Sequence, residues 1–383
     1  MFMYRERCER LMDGAGCDIV LLTDEASMRY VSGFTGEGYV LVTRAGGVVV
    51  TDSRYTIAAR AECPFFEVVE WNAKGYYRPV MDAVKDARIR TLGFEDADLS
   101  VSEWSKFEKK VSRYVKCKPI KDAAERLRRI KNDAEIELIA QAEAIGDRAF
   151  ARLMLDLGVD ADELGSIGSE VSAYHVATPM NAIQTTEKQL AARLEFYLKD
   201  EGGERLSFDT IAASGINGAK PHAVPGDKLL CQGELVTLDF GCVYKGYCSD
   251  MTRTIAIGEV SDELRRIYDI VYEAQQMALD DITPGMTGAE IDAIARDHIR
   301  DKGYGKYFGH SLGHSVGLKI HESPGFSSKE ASVICPGMVI SVEPGIYVEG
   351  VGGVRIEDLV VITDEGIEDL SNSVREMLVI RIQ

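Results

Sequence analysis

The sequence predicts an α/β N-terminal domain followed by an α+β C-terminal domain with internal pseudo-two-fold symmetry. Three observations carry this. Short β-rich runs alternate with helical spacing through the first third. A long, charged, amphipathic stretch begins near Ala124. Two later segments, 233–241 and 337–345, share one pattern of Gly, an apolar strand, an acid, one residue and Gly.

In chain order, Tyr4 to Met12 has helical spacing, and Asp18 to Leu22, Tyr39 to Thr43 and Gly47 to Thr51 read as strands. Tyr55 to Ala61 can start a helix, and Thr91 to Phe94 is a further strand. From Ala124 to Met154, apolar residues recur through Leu127, Ile130, Ile136, Ile139 and Ala142, predicting one long helix. The domain boundary is expected between Asp122 and Arg129, giving domains 1–124 and 125–383, each long enough for its own core. Leu157 to Gln184, with a Thr178-Pro179 break, reads as a surface excursion. Thr186 with Gln189 and Thr287 with Glu290 form capping boxes that open helices Glu187–Lys199 and Ala289–Lys302, with another helix over Asp262–Leu279. Strands are expected at Phe208–Ala213, Leu235–Gly241, Met251–Ile257, Val339–Val342 and Val354–Ile362.

The composition narrows the function. At 45% hydrophobic residues the chain is globular. Its formal net charge of −18 leaves no basic surplus to neutralise phosphates, which argues against nucleic acid or an anionic membrane as partner. Cysteines at 8, 17, 63, 117, 231, 242, 248 and 335 form no C-x-x-C pair, so neither a thiolate zinc site nor a redox dithiol is expected. Scattered thiols suit a reducing compartment. The charged segment Met1 to Glu9 lacks an apolar centre, and no apolar run could cross a bilayer. A cytoplasmic protein is expected.

The chemistry lies in the repeat. Asp239 and Glu343 each end an apolar strand, and each is followed by a turn and a second acid, Asp250 or Glu357. A carboxylate in a buried strand is costly unless paired or metal-bound. If Lys245-Gly246 is a two-residue turn, Gly241 lies opposite Asp250, and Asp239 shares that face. Two carboxylates that close call for a cation. Registration of the second hairpin is complicated by Pro344. Of six histidines, His310, His314 and His321 fall in one Gly-rich run, where backbone can approach a site closely. His298 reads as a helix-surface or core residue, and His175 receives no role. Four carboxylates and an imidazole form an oxygen-rich set suited to two divalent ions, manganese best, with cobalt, zinc or iron as alternatives. Such a pair activates water and polarises a carbonyl.

The motifs Leu238-Asp239-Phe240-Gly241, Ser249-Asp250-Met251-Thr252-Arg253-Thr254, His314 to His321-Glu322, Val342-Glu343-Pro344-Gly345-Ile346-Tyr347 and Gly353-Val354-Arg355-Ile356-Glu357-Asp358 belong together. With Phe208-Asp209-Thr210-Ile211 and Pro221-His222, they make the chain from about Ala124 onward resemble the pita-bread metallopeptidases: methionine aminopeptidase, aminopeptidase P and prolidase. The resemblance implies a pita-bread C-terminal domain with Asp239, Asp250, His314, Glu343 and Glu357 as metal ligands. It implies that His222, His310 and His321 surround the ligands or contact substrate, and that Arg355 orients carboxylates or substrate. Glu343 is then the candidate for proton transfer, with His222 or His321 positioning substrate or protonating the leaving proline nitrogen. Met28 to Gly36 and Thr51-Asp52-Ser53-Arg54-Tyr55 resemble the creatinase-like N-domain of the proline-specific branch. Methionine aminopeptidases usually lack that domain, and creatinase lacks the ligands. The expected activity is therefore aminopeptidase P-like hydrolysis of an N-terminal Xaa-Pro bond. Prolidase is the alternative, and a non-catalytic peptide-binding module ranks lower because all five ligands are retained. The implied partners are peptides with proline at the second position and a second copy of the chain as homodimer. Leu157 to Gln184 departs from the family's short Pro-Gly connection, which bears on substrate length.

Overall fold

A six-stranded mixed sheet organises the first of two units, Met1–Arg128, in the computed structural model, which describes residues 2–71, 75–86 and 88–382. Its central strand, Ile19–Leu22, is buried throughout; it pairs antiparallel with Gly38–Thr43 and parallel with Thr91–Phe94. Gly46–Thr51 lies beyond Gly38–Thr43, and Glu67–Glu70 and Lys116–Pro119 form the two edges. Those edge strands, EVVE and KCKP, escape sequence reading because charge at a sheet edge masks the apolar pattern. Helices Glu25–Ser32 and Val101–Val111 also go unread, although Asp24 and Ser100 cap them. Tyr39, Leu41, Val50, Leu92 and Phe107 pack the core of this unit.

The second unit, Arg129–Gln383, is built of two similar halves. In the first half, strands Ile211–Ser214, Leu235–Phe240 and Met251–Ile257 pack with helices Asp133–Asp156 and Glu187–Asp200 around Leu153, Leu194, Leu238 and Phe240. In the second, strands Val339–Val342 and Asp358–Ile362 pack with helices Asp262–Asp281 and Gly288–Asp301 around Val271, Ile291, Ile340 and Val360. Both capping boxes form, so each half opens its second helix in the same way.

Three expectations change. The single helix over 124–154 is two, Ala123–Arg128 and Asp133–Asp156. Asn132 interrupts it: its side chain accepts from the N–H groups of Ala134 and Glu135, while Glu135 accepts from Asn132 N–H. The run Val354–Ile362 divides into Gly352–Arg355 and Asp358–Ile362, which leaves Glu357 between ladders. Segment 157–184 is no bare excursion. It carries the helix Gly165–Ser172 and is tied to Asp156, which accepts from Thr178 N–H at 2.7 Å and lies 3.1 Å from His175 Nε2. His175 therefore has a structural place, its side chain 4% exposed.

The close approach at Gly241 gives a stability prediction. A Cβ there would lie 2.0 Å from the Ser249 carbonyl oxygen. Gly241→Ala is expected to lower unfolding free energy by about 3 kcal/mol, read as a lower urea midpoint.

Candidate metal centre

The first hairpin turns on Lys245 and Gly246, with φ of 45° and 85°. Both are left-handed, as a two-residue type I′ turn requires. Pairs Tyr244↔Tyr247 and Val243↔Cys248 above, and Phe240↔Met251 and Asp239↔Thr252 below, keep one register. That register sets Gly241 across from Asp250, with Asp239 two residues away on the same face.

The second hairpin repeats this despite Pro344. Val342 pairs with Asp358 on one side of the interruption and Gly345 with Arg355 on the other, so Glu343 lies across from Glu357. The hairpins join where Glu357 N–H donates to Thr252 O at 3.0 Å and Thr252 Oγ1 donates to Glu357 Oε2 at 2.7 Å. The acids of both halves thus meet at the pseudo-two-fold centre.

The Gly-rich histidine run supplies nitrogen from one side. Gly313 has no room for a Cβ, which would lie 1.8 Å from Ser341 O, and this close approach sets the adjacent His314 against the acids. His314 Nε2 lies 3.4 Å from Asp250 Oδ2 and 3.5 Å from Glu343 Oε1. His321 packs edge-on against His314, ring centroids 4.5 Å apart. His310 Nδ1 is 3.9 Å from Glu343 Oε2, and its Nε2 is 2.9 Å from the Tyr347 hydroxyl. All nine residues singled out in the sequence line one cavity of about 500 Å³, His222 included. Phe208, Ile211, Val224, Pro225 and Ile320 give it an apolar wall.

The electrostatics are unbalanced without a cation. Four carboxylates converge, and among the described lining residues Arg355 is the one Lys or Arg. Its guanidinium pairs with Asp239, donates from Nε to Thr252 Oγ1 at 3.0 Å and from Nη1 to the Tyr347 hydroxyl at 2.8 Å. Burial holds the Asp250 and Glu357 carboxyls well above the ordinary carboxylate range, and the neighbouring acids add to it. Burial pushes Glu343 up to about 8; Arg355 opposes this and the Asp239 charge adds to it. Burial lowers His310 and His314 to about 4, so both imidazoles are neutral, the form that binds metal. Asp239 Oδ1 is buried with no hydrogen-bond partner. One donor atom each from Asp250, His314 and Glu357 lie within 4.8 Å of one another. An orphaned carboxylate oxygen beside clustered acids and a neutral imidazole fits divalent cations.

Residues 137–364 match the model of metallopeptidase family M24, and residues 5–130 match that of the creatinase/prolidase N-terminal domain. The chain belongs to metallopeptidase family M24. Among relatives of this M24 peptidase, the Xaa-Pro dipeptidase of Pyrococcus furiosus is 38% identical over 98% of this chain and 100% of its own length. A solved Xaa-Pro dipeptidase from Bacillus anthracis superposes with TM-score 0.88 at 41% identity, covering 98% of this chain and 99% of that one. A solved X-Pro aminopeptidase from Thermotoga maritima gives TM-score 0.84 at 37% identity, covering 97% and 99%. M24 membership makes this a divalent-metal peptidase with the pita-bread fold and a creatinase-type N-terminal domain.

Sequence reading missed the residues that hold the M24 acids in place. Ser341 Oγ donates to Glu343 Oε1 at 3.1 Å, Thr252 holds Glu357, and Tyr347 joins Arg355 to His310. A signal existed for two of them. Ser341 is the polar residue of an apolar strand, and both it and Thr252 stand two positions from an acid and so on its face. Tyr347 lies in a quoted motif but offers no such spacing cue.

Proposed function

We propose that this M24 peptidase is an Xaa-Pro dipeptidase working through a dinuclear metal centre held by Asp239, Asp250, His314, Glu343 and Glu357. The observation that carries the reading is the meeting of these five residues in one cavity, where Arg355 is the one guanidinium among the described lining residues. The oxygen-rich donor set supports manganese, with cobalt, zinc and iron as alternatives. The two ions supply water activation and carbonyl polarisation. The chain's own groups do the rest. Glu343 takes the proton of the attacking water. His222 or His321 orients the peptide or gives a proton to the leaving proline nitrogen. His310 and Tyr347 share a hydrogen-bond line with Arg355, which holds Asp239 in place. The apolar wall of Phe208, Ile211 and Val224 suits the proline ring and the side chain before it.

The names of the relatives that span nearly the whole chain move the reading from aminopeptidase P toward the dipeptidase. The Thermotoga X-Pro aminopeptidase keeps the longer-peptide activity as the second reading. A homodimer and a cytoplasmic location belong to the same proposal, the latter supported by eight free cysteines. Among the described residues, no helix is long and apolar enough to cross a membrane.

An assay of Ala-Pro against Ala-Pro-Ala with added manganese decides the substrate. The dipeptide should show the higher kcat/KM. Faster cleavage of the tripeptide would establish the aminopeptidase instead. No bound divalent metal and no activation by manganese would mark a non-catalytic peptide binder.

A further inference from the structure

His222 lines the cavity but stands on an exposed loop, and among the described residues no hydrogen bond holds its ring. Its position therefore depends on the backbone of the loop from Ser214 to Gly226. That loop is gripped from below by Glu187, the first residue of helix Glu187–Asp200, fully buried and absent from the cavity lining. One oxygen of Glu187 accepts from Ser214 N–H and Ser214 Oγ, each at 2.8 Å. The other accepts from Gly226 N–H at 3.0 Å, and the Asn217 amide reaches both oxygens at 3.1 Å. One carboxylate thus joins the start, the interior and the end of the loop.

Other ties join the same segments. Glu187 N–H donates to Lys228 O at 3.0 Å and Lys188 N–H to Gly226 O at 3.1 Å. Lys228 Nζ donates to Ser214 Oγ at 2.8 Å. On the cavity side, Arg355 Nη1 reaches Pro221 O at 3.4 Å, next to His222. Burial raises the Glu187 carboxyl, but the four donors to it prevail and leave it below the ordinary range. The group is ionised and acts as a multiple acceptor, the state in which hydrogen bonds are strongest.

We propose that Glu187 is a positioning residue for the reaction, holding both ends of the His222 loop so that the imidazole meets substrate at a fixed place. The inference rests on the role assigned to His222 above. It explains why an acid that touches neither metal ligands nor cavity is buried with every lone-pair direction used. Glutamine cannot reproduce the grip, because its amide nitrogen offers donors where Gly226 or Ser214 needs an acceptor.

The test uses the full-length, manganese-loaded protein and its variants Glu187→Gln, His222→Ala and the double variant. Three quantities are read: bound metal, kcat and KM for Ala-Pro, and hydrogen–deuterium exchange of residues 214–226. Glu187→Gln should keep its metal, exchange faster in that loop and lose about tenfold in kcat/KM. On the His222→Ala background it should cost nothing further, since the group it positions is gone. Unchanged loop exchange, or losses that multiply in the double variant, would overturn the proposal. If the parent protein fails to cleave Ala-Pro, the dipeptidase reading falls, while loop exchange still decides whether Glu187 is the clamp. Should Glu187→Gln not fold, Asn217→Ala, which removes the interior contact from the loop side, is put through the same measurements with the same expected and contrary results.

Discussion

Asp250→Ala is expected to lower kcat/KM for Xaa-Pro hydrolysis by at least ~10³-fold while leaving the fold intact. The reason is positional. Asp250 comes from the first hairpin, yet its Oδ2 lies 3.4 Å from His314 Nε2, which belongs to the second half. Burial first, and then Glu357 and Asp239 beside it, raise its carboxyl, so it sits where the acids of the two halves crowd together. Removing it would take away one of the clustered donor atoms, beside His314 and Glu357, that would hold a cation in the proposed centre. The stability effect should reverse with metal. In chelator, the variant is relieved of the burial and crowding that hold the Asp250 carboxyl well above its ordinary range, and its Tm should equal or exceed that of the parent. With excess manganese, the parent gains stability by mass action and the variant gains less. Elemental analysis and melting curves with and without EDTA measure both. Full activity in a variant shown to be metal-free would refute the assignment.

Arg355→Met is expected to cost about 3–5 kcal/mol of unfolding free energy in metal-free protein, because it takes the Arg355 guanidinium from the buried acids beside it. Arg355 is 4% exposed and bonds Asp239, Thr252 and Tyr347. Manganese should recover part of the loss, since the ions neutralise the same carboxylates. Activity should still fall by roughly 10–100-fold with metal restored, as Asp239 loses the group that orients it. Urea unfolding in EDTA and in manganese separates the two effects. Equal stability of variant and parent in EDTA would show that the guanidinium does not balance these acids.

The site was more legible than its setting. Asp239 and Glu343 stand out because an acid ending an apolar strand is expensive, and the expense recurs at the same place in both halves. The Lys245-Gly246 turn fixes the register that brings Asp250 beside Asp239, and a period of two is enough to see it. For the second hairpin, spacing alone did not settle the register across Pro344; in the structure the same register resumes on its far side. His314 as ligand came from resemblance, because three histidines in one Gly-rich run are equivalent by spacing. What stayed hidden depends on contacts far apart in sequence. Glu187 reads as the first residue of a capped helix, and nothing local says that it holds residues 214–226. The break at Asn132 was hidden because apolar periodicity runs through it, while the cap is a local competition that periodicity does not register.

The most direct measurement is anomalous diffraction at the manganese edge from crystals grown with excess manganese. Two peaks about 3.5–4 Å apart, in reach of Asp239, Asp250, His314, Glu343 and Glu357, are the predicted result. An unoccupied cavity, or manganese bound only at other residues, would contradict it.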